Sequence, residues 1–428
     1  MRKFPLTARI LLGLVLGLLT GTLLRGADPS VRDGAVAVAE PLGGLWLDAL
    51  RMTVIPLVFS LIVTGVASAA DAARAGRFTG RVVIMFAVLT FLGALFAAAA
   101  TPGLLALWPV PAEAGAALRA GLAPGASAPE MASAGEFLRS FIPANPIQAA
   151  AETAVAPLVV FALLFAFAAT RIELDLRDRI VGAFRAIAHT MLVLVQGVLW
   201  VGPFGVFALA LVVGARVGLG AAGVLVQYVV IVSAVQVGAV LLLYPLAVVG
   251  GRIGPLRFLR AGIPAQAVAL STQSSLATLP AMLKSAEGLG TSERVRGLVL
   301  PLAVSVFRYA SVAANLAVAI YLARLYGITL GPLELLLGAA VASVANLAGV
   351  GLPAQVSFFA IIGPICLALG VPLELLPLLL AVETIPDIFR TVGNVSADLV
   401  VTQVASAHAG DEASAPLPAV EASDPSRA

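Results

Sequence analysis

The sequence is poor in the residues from which most reactive sites are built. One cysteine in 428 residues, Cys366, excludes a disulfide framework and a thiolate metal cluster. Two histidines, His189 and His408, leave little for a zinc site or a catalytic triad, and both border polar segments where water solvates them. Charge is scarce: 11% of residues are Asp, Glu, Lys or Arg, against about a quarter in a soluble domain. No nucleophile–base pair, phosphate loop or metal-ligand spacing occurs, so the chain does not read as an enzyme and calls for no cofactor. The formal charge of +3 comes from arginine-rich loops and suggests orientation in a membrane rather than a nucleic-acid partner.

What the chain has is apolar length. At 60% hydrophobic residues it reads as an all-α polytopic membrane protein with the lipid bilayer as its solvent. About twenty apolar residues cross a bilayer as a helix. Candidate spans begin near Thr7, Leu42, Arg81, Phe141, Thr190, Gly223, Val295 and Val371. Two further apolar stretches, Ala261 to Leu289 and Leu333 to Leu369, are interrupted by Gly, Pro, Ser and Thr, which suggests re-entrant hairpins.

Arginines set the expected orientation. Arg2, Lys3 and Arg9 precede the first span; Arg74, Arg77 and Arg81 follow the second; Arg171, Arg177, Arg179 and Arg185 follow the fourth; Arg252, Arg257 and Arg260 follow the sixth. Every second loop is basic, so those loops are expected on the cytoplasmic side of the cell's inner membrane, with both termini. The Ala-, Gly- and Pro-rich loop from Pro102 to Glu136 is then external. The first apolar run ends in LLRGADPS, without a small-x-small cleavage site, and reads as an uncleaved helix rather than a signal peptide. From His408 the chain is small, acidic and Pro-rich, as a disordered tail is.

One segment breaks the apolar pattern. ETIPDIFRTVGNVSAD places Glu383, Asp387, Arg390, Asn394 and Asp398 at offsets 0, 4, 7, 11 and 15, an arc of roughly 80° on a helix. Four charges facing lipid would cost on the order of 10 kcal/mol, so the stripe is expected to face a protein interior or a water-filled cavity. The plain alternative is a structural ion-pair ladder, Asp387 with Arg390 and Asp398 with another helix. Pro386 frees the carbonyl of Val382, as a kink or as a ligand. Two more polar clusters lie in the interrupted stretches. STQSSLATLP, Ser271 to Pro280, offers hydroxyls and amides to an anionic group, and ASVANLAGVGLPAQ, Ala342 to Gln355, offers exposed backbone.

In their order these motifs resemble the dicarboxylate/amino acid:cation symporters, the glutamate transporter family, over nearly the whole chain. LRMTVIPLVFSLIVTGVAS is similar to that family's second span, FIPANPIQAA to its fourth and VGPFGVFALA to its fifth. SSLATLP resembles its serine-rich hairpin and DIFRTVGNVSAD its eighth span. The resemblance implies eight spans, two re-entrant helical hairpins, an elevator-type mechanism and a homotrimer. It implies scaffold segments at 1–75 and 111–217, transport-domain segments at 76–110 and 218–405, and the tail at 406–428. Carried over by position, Arg390 pairs with a substrate side-chain carboxylate, Asp387 takes the ammonium, and Asn394 with the backbone near Ser274 and Ser275 holds the main-chain carboxylate. Thr391 and Ser311 are minor contacts, Asp398 and Asn394 belong to a cation site, and the segment around Val350 and Gly351 is the external gate. Arg390 together with Asp387 favours aspartate or glutamate. A C4-dicarboxylate returns as a candidate if Asp387 is neutral.

The sequence also departs from the pattern. Where the family's seventh span carries Asn-Met-Asp-Gly-Thr, this chain has FRYAS, Phe307 to Ser311. Phenyl and phenol groups are poor sodium ligands, and Thr90 in the third span adds little. Asp to Tyr and Met to Arg together change the site by +2, the charge of two sodium ions. Arg308 is therefore expected to act as a tethered cation beside Asp398 and Asn394, which argues against a sodium requirement. The alternative is that Arg308 packs against a scaffold carboxylate or a lipid phosphate. Proton coupling through Glu383 or Asp398 stays open. A reading from another class is a substrate-gated anion channel or a sensor that does not transport.

Overall fold

In this computed structural model the structure describes residues 6–74, 77–110, 142–152, 155–218, 220–347 and 354–409. The segment around Val350 and Gly351, expected as the external gate, and the residues beyond 409, expected as the tail, lie outside them. Among the described residues there are only helices and their connections.

The first helices are α1 (Leu6–Arg25), α2 (Pro29–Arg74) and α3 (Arg77–Leu107). At 46 residues, α2 is about 69 Å long, roughly twice the hydrocarbon thickness. It begins well before the expected start near Leu42. After α3 come α4 (Pro146–Ala151), α5 (Val155–Ala169), α6 (Leu174–Trp200) and α7 (Gly202–Val217). The expected fifth span began near Thr190, after a basic loop. The structure corrects this: Arg177, Arg179 and Arg185 are helical residues of α6, and the link from α5 is short. Arginine is a good helix former, and Asp175 pairs with Arg179 one turn on at 2.8 Å, so local energetics favour helix there.

α1 lies along α7 at backbone contact. A β-carbon on Gly17 would stand 2.5 Å from the Phe207 carbonyl oxygen, and one on Gly21 would stand 2.2 Å from that of Leu211. Glycines four residues apart make the groove in which the two backbones meet, the usual route to tight helix pairing in lipid. α2 packs on α5, α6 and α7; Phe59, Phe161, Phe165 and Phe184 knot the first three together, and buried Arg177 pairs with Asp71.

The second half comprises α8 (Gly220–Val249), α9 (Pro255–Thr272), α10 (Ser275–Gly288), α11 (Glu293–Val306), α12 (Tyr309–Leu325), α13 (Pro332–Leu347), α14 (Ala354–Ala368), α15 (Leu376–Val382) and α16 (Thr384–Ala407). Both interrupted stretches resolve into pairs of short helices. α9 turns into α10 through Gln273 in the left-handed region (φ 50°), with Ser274 capping α10 by accepting from the Ala277 amide at 3.2 Å. α13 and α14 also pack against each other. α12 is buried along nearly its whole length, and α3, α8, α13, α14 and α16 surround it.

Two expected spans are broken. The seventh is interrupted at Phe307 and Arg308, which leave helical geometry (ψ 91° and 63°) between α11 and α12. The eighth, expected from near Val371, divides at Glu383 into α15 and α16. Pro386 explains the second division, since it has no amide to return to the Val382 carbonyl. Among the described residues, five helical stretches are long and apolar enough to cross a membrane, among them Arg77–Leu107, Ala222–Val249 and the stretch Glu293–Leu325 that contains the break. Among the described residues the chain is all-helical, consistent with a polytopic membrane protein.

Candidate functional site

The polar stripe of α16 turns inward. Asp387, Arg390, Asn394 and Asp398 are buried, with Asp398 only 1% exposed, while Ile385 and Phe389 on the opposite side are 50% and 40% exposed. This inverts the amphipathic helix of a soluble protein and suits a helix with lipid outside and polar chemistry inside.

α8 supplies one wall and runs parallel to α16. Tyr228 meets Glu383, Val240 lies against the position of Gly393, and the Gly251 carbonyl accepts from Gln403. Hairpin arm α9 holds the far side, where Gln266 donates to Ser396 at 3.0 Å. The third wall is the break before α12. The first amides of a helix have no partner within it. Here the Asn394 side-chain oxygen accepts from the amides of Ala310 and Ser311 at 2.9 and 3.2 Å, and its nitrogen donates to the Ser311 hydroxyl at 2.8 Å. A residue of one helix caps the start of another, and the helix amino end, which favours anions, points into the site. The Asn346 amide at the end of α13 donates to the Arg308 carbonyl at 2.9 Å, tying α13 to the same break.

The charges form one connected cluster. Arg390 forms an ion pair with Glu383 and stands 3.4 Å from Asp387. Tyr228 donates its hydroxyl to the other oxygen of Glu383. Arg308, partly buried, interacts electrostatically with Asp387, Asp398 and Arg390. Neither oxygen of Asp398 has a hydrogen-bond partner among the described residues, and Arg308 acts on it electrostatically. Part of the expected ion-pair ladder is therefore present, as Asp387 with Arg390. The strongest partner of Arg390, however, is Glu383, two turns away.

The two aromatic residues of FRYAS, Phe307 and Tyr309, fill space. The Phe307 ring stacks on Phe86 of α3, with centroids 4.9 Å apart and planes 21° from parallel. The Tyr309 ring lies over Gly93, where an added β-carbon would stand 2.6 Å from it, and its hydroxyl donates to the Ala239 carbonyl at 3.1 Å. Thr90 of α3 is buried. Among the described residues no cluster of His, Cys, Asp and Glu has the arrangement of a metal site.

Other expected residues have local roles. Thr391 donates to the Asp387 carbonyl at 3.0 Å within its own helix. Ser274 and Ser275 are partly buried at the tip of the first hairpin, and α10 packs on α16, but no hydrogen bond joins these serines to the charge cluster among the described residues. Two residues escaped the sequence reading, Tyr228 and Gln236. Gln236 is fully buried, with both side-chain amide atoms lacking a partner among the described residues. On α8 it lies angularly between the directions of Tyr228 and Val240, both turned to α16. The available signal was a polar residue in an apolar run, YVVIVSAVQVGAV.

The profile of the sodium:dicarboxylate symporter family fits residues 6–408. The chain belongs to that family. Its members are membrane symporters, not enzymes. Over 94% of its length this symporter is 28% identical to the proton/glutamate-aspartate symporter of Escherichia coli (strain K12), covering 93% of that protein. It is 27% identical to the proton/sodium-glutamate symport protein of Bacillus caldotenax over 92% of each chain. It is 28% identical to C4-dicarboxylate transport protein 2 of Ralstonia nicotianae, over 95% of this chain and 90% of that one.

Proposed function

We propose that this symporter is a secondary carrier of an acidic amino acid, aspartate or glutamate, that works without sodium. The observation that carries the reading is the pairing of one buried guanidinium with one buried carboxylate, Arg390 and Asp387, 3.4 Å apart on the inward face of α16. A dicarboxylate alone needs the first; a substrate that also carries an ammonium needs both. Arg390 takes the side-chain carboxylate and Asp387 the ammonium. The first-hairpin serines Ser274 and Ser275, with Asn394, Thr391, Ser311 and the segment around Val350 and Gly351, close around the remainder. Similarity to a proton/glutamate-aspartate symporter and a proton/sodium-glutamate symport protein supports this substrate class. Similarity to a C4-dicarboxylate carrier keeps that class as the second reading.

Arg308 takes the place of the exchangeable cation, next to Asp398 and close to Asn394. Phe307 and Tyr309 support this reading, because their rings fill space where oxygen ligands would be needed. The architecture is eight spans and two re-entrant hairpins, working as an elevator in a homotrimer. It sits in the inner membrane with both termini cytoplasmic, residues 1–75 and 111–217 serving as scaffold and 76–110 with 218–405 as the moving body. Extensive packing within each group of helices supports that division.

Counterflow of labelled aspartate in proteoliposomes, with and without sodium, tests the reading. A carrier exchanges label in both conditions. Absence of exchange leaves a channel or sensor, and a steep sodium dependence removes the role given to Arg308.

A further inference from the structure

We propose that Glu383 and Tyr228 form a proton-taking latch on Arg390, which the substrate's carboxylate opens. In this scheme substrate binding and protonation of Glu383 are one exchange at a single guanidinium. The inference rests on the reading of Arg390 as the substrate's anchor and adds to it the identity of the coupling ion and its site.

The geometry begins with the edges of the guanidinium. A carboxylate binds arginine best through two parallel N–H bonds, such as those from Nε and one terminal nitrogen. In Arg390, Nη2 is taken by Glu383, Nη1 faces Asp387, and Nε is buried with no hydrogen-bond partner among the described residues. The Nε–Nη2 edge is therefore half occupied by the protein's own carboxylate. A substrate carboxylate that takes this edge must remove Glu383 from Nη2.

Once displaced, Glu383 is a buried anion that has lost its cation. An uncompensated charge in that setting is strongly unfavourable. The carboxylate resolves this by accepting a proton from water on the side to which the site is open. No other bond changes, and Arg390 remains a cation throughout. Tyr228 suits the neighbouring position because a phenol donates to a carboxylate and accepts from a carboxylic acid. Its ring is held edge-on by Tyr321, whose own hydroxyl donates to the Val224 carbonyl at 2.7 Å.

The groups facing Glu383 are Tyr228 from α8, with Tyr321 of α12 behind it, and Arg390 and Asp387 from α16. Arg308, from the break before α12, acts on Asp387 and Asp398. With every group ionised, Glu383, Asp387, Asp398, Arg308 and Arg390 sum to −1. An acidic amino acid adds −1, and one proton restores the original charge. Glu383 is the carboxylate that takes it because its cation is the group the substrate occupies, whereas Arg308 still acts on Asp398, and Asp387 is needed ionised for the ammonium.

Calorimetric titration of the purified protein with L-aspartate, in buffers of different ionisation enthalpy, counts protons taken up on binding. The expected result is about one proton per aspartate and a dissociation constant that rises about tenfold per pH unit above neutrality. Glu383→Gln should bind aspartate more tightly, take up no proton and lose the pH dependence. Tyr228→Phe should keep the proton count and move the pH at which affinity falls. Aspartate binding by the wild-type protein without proton uptake overturns the latch alone, as does proton uptake that survives in Glu383→Gln. No aspartate binding at any pH overturns the substrate reading together with the latch.

Discussion

Gly393 lies directly against Ala310. A β-carbon on Gly393 would stand 2.6 Å from the Ala310 methyl and 2.9 Å from a methyl of Val240. This approach lets α16 come close enough to the break for Asn394 to reach the free amides of α12. Gly393→Ala should force the helices apart or displace Val240, costing about 1–3 kcal/mol as overpacking does. A thermal melt of the purified protein should show the loss, and substrate affinity should fall with it because the Asn394 cap is disturbed.

Arg390→Ala removes the anchor proposed for the substrate and also leaves Glu383 and Asp387 buried without their cation. The second effect alone should destabilise the protein by about 3–5 kcal/mol. The double variant Arg390→Ala with Glu383→Gln relieves part of that burden. The two outcomes therefore separate: melting temperature should recover in the double variant, while aspartate binding should remain absent in both. Aspartate affinity that survives in either variant would show that the anchor is elsewhere.

Asp387→Asn keeps the shape of the side chain and removes its charge. A hydrogen bond to a charged group contributes about 1.5–3 kcal/mol, so aspartate affinity should fall about tenfold to a hundredfold. Succinate has no ammonium to lose, and competition between the two should show the preference for aspartate collapsing. A preference unchanged by the substitution would refute the role given to Asp387.

Replacing Phe307, Arg308 and Tyr309 together by Asn, Met and Asp returns oxygen ligands to the break and deletes the fixed cation. Aspartate binding to this variant should become sodium-dependent, by at least about tenfold between sodium-free and saturating conditions. In the wild-type protein the same titration should be flat. The triple variant is preferable to Arg308→Met alone, which removes the guanidinium that acts on Asp398 without supplying oxygen ligands.

Composition and periodicity determined the class of this protein and the direction of its last helix. Few charges over long apolar runs leave no stable choice but membrane helices, because only they satisfy their own backbone in lipid. Positions 383, 387, 390, 394 and 398 share a face of any α-helix, and lipid drives that face inward. These are local relations, fixed by spacing along the chain.

The break at Phe307 and Arg308 was not legible, since the segment has neither glycine nor proline to announce it. It is held by Asn394, whose partner Ala310 is 84 residues away. Nor did spacing reveal that Tyr228 would meet Glu383, 155 residues on, or that Glu383 would take the guanidinium of Arg390 for itself. Which carboxylate holds an arginine, and which side chain caps a helix begun in mid-membrane, depends on how α8, α12 and α16 pack together. A buried polar group must find its partner wherever the fold brings one, and only the assembled bundle fixes that choice.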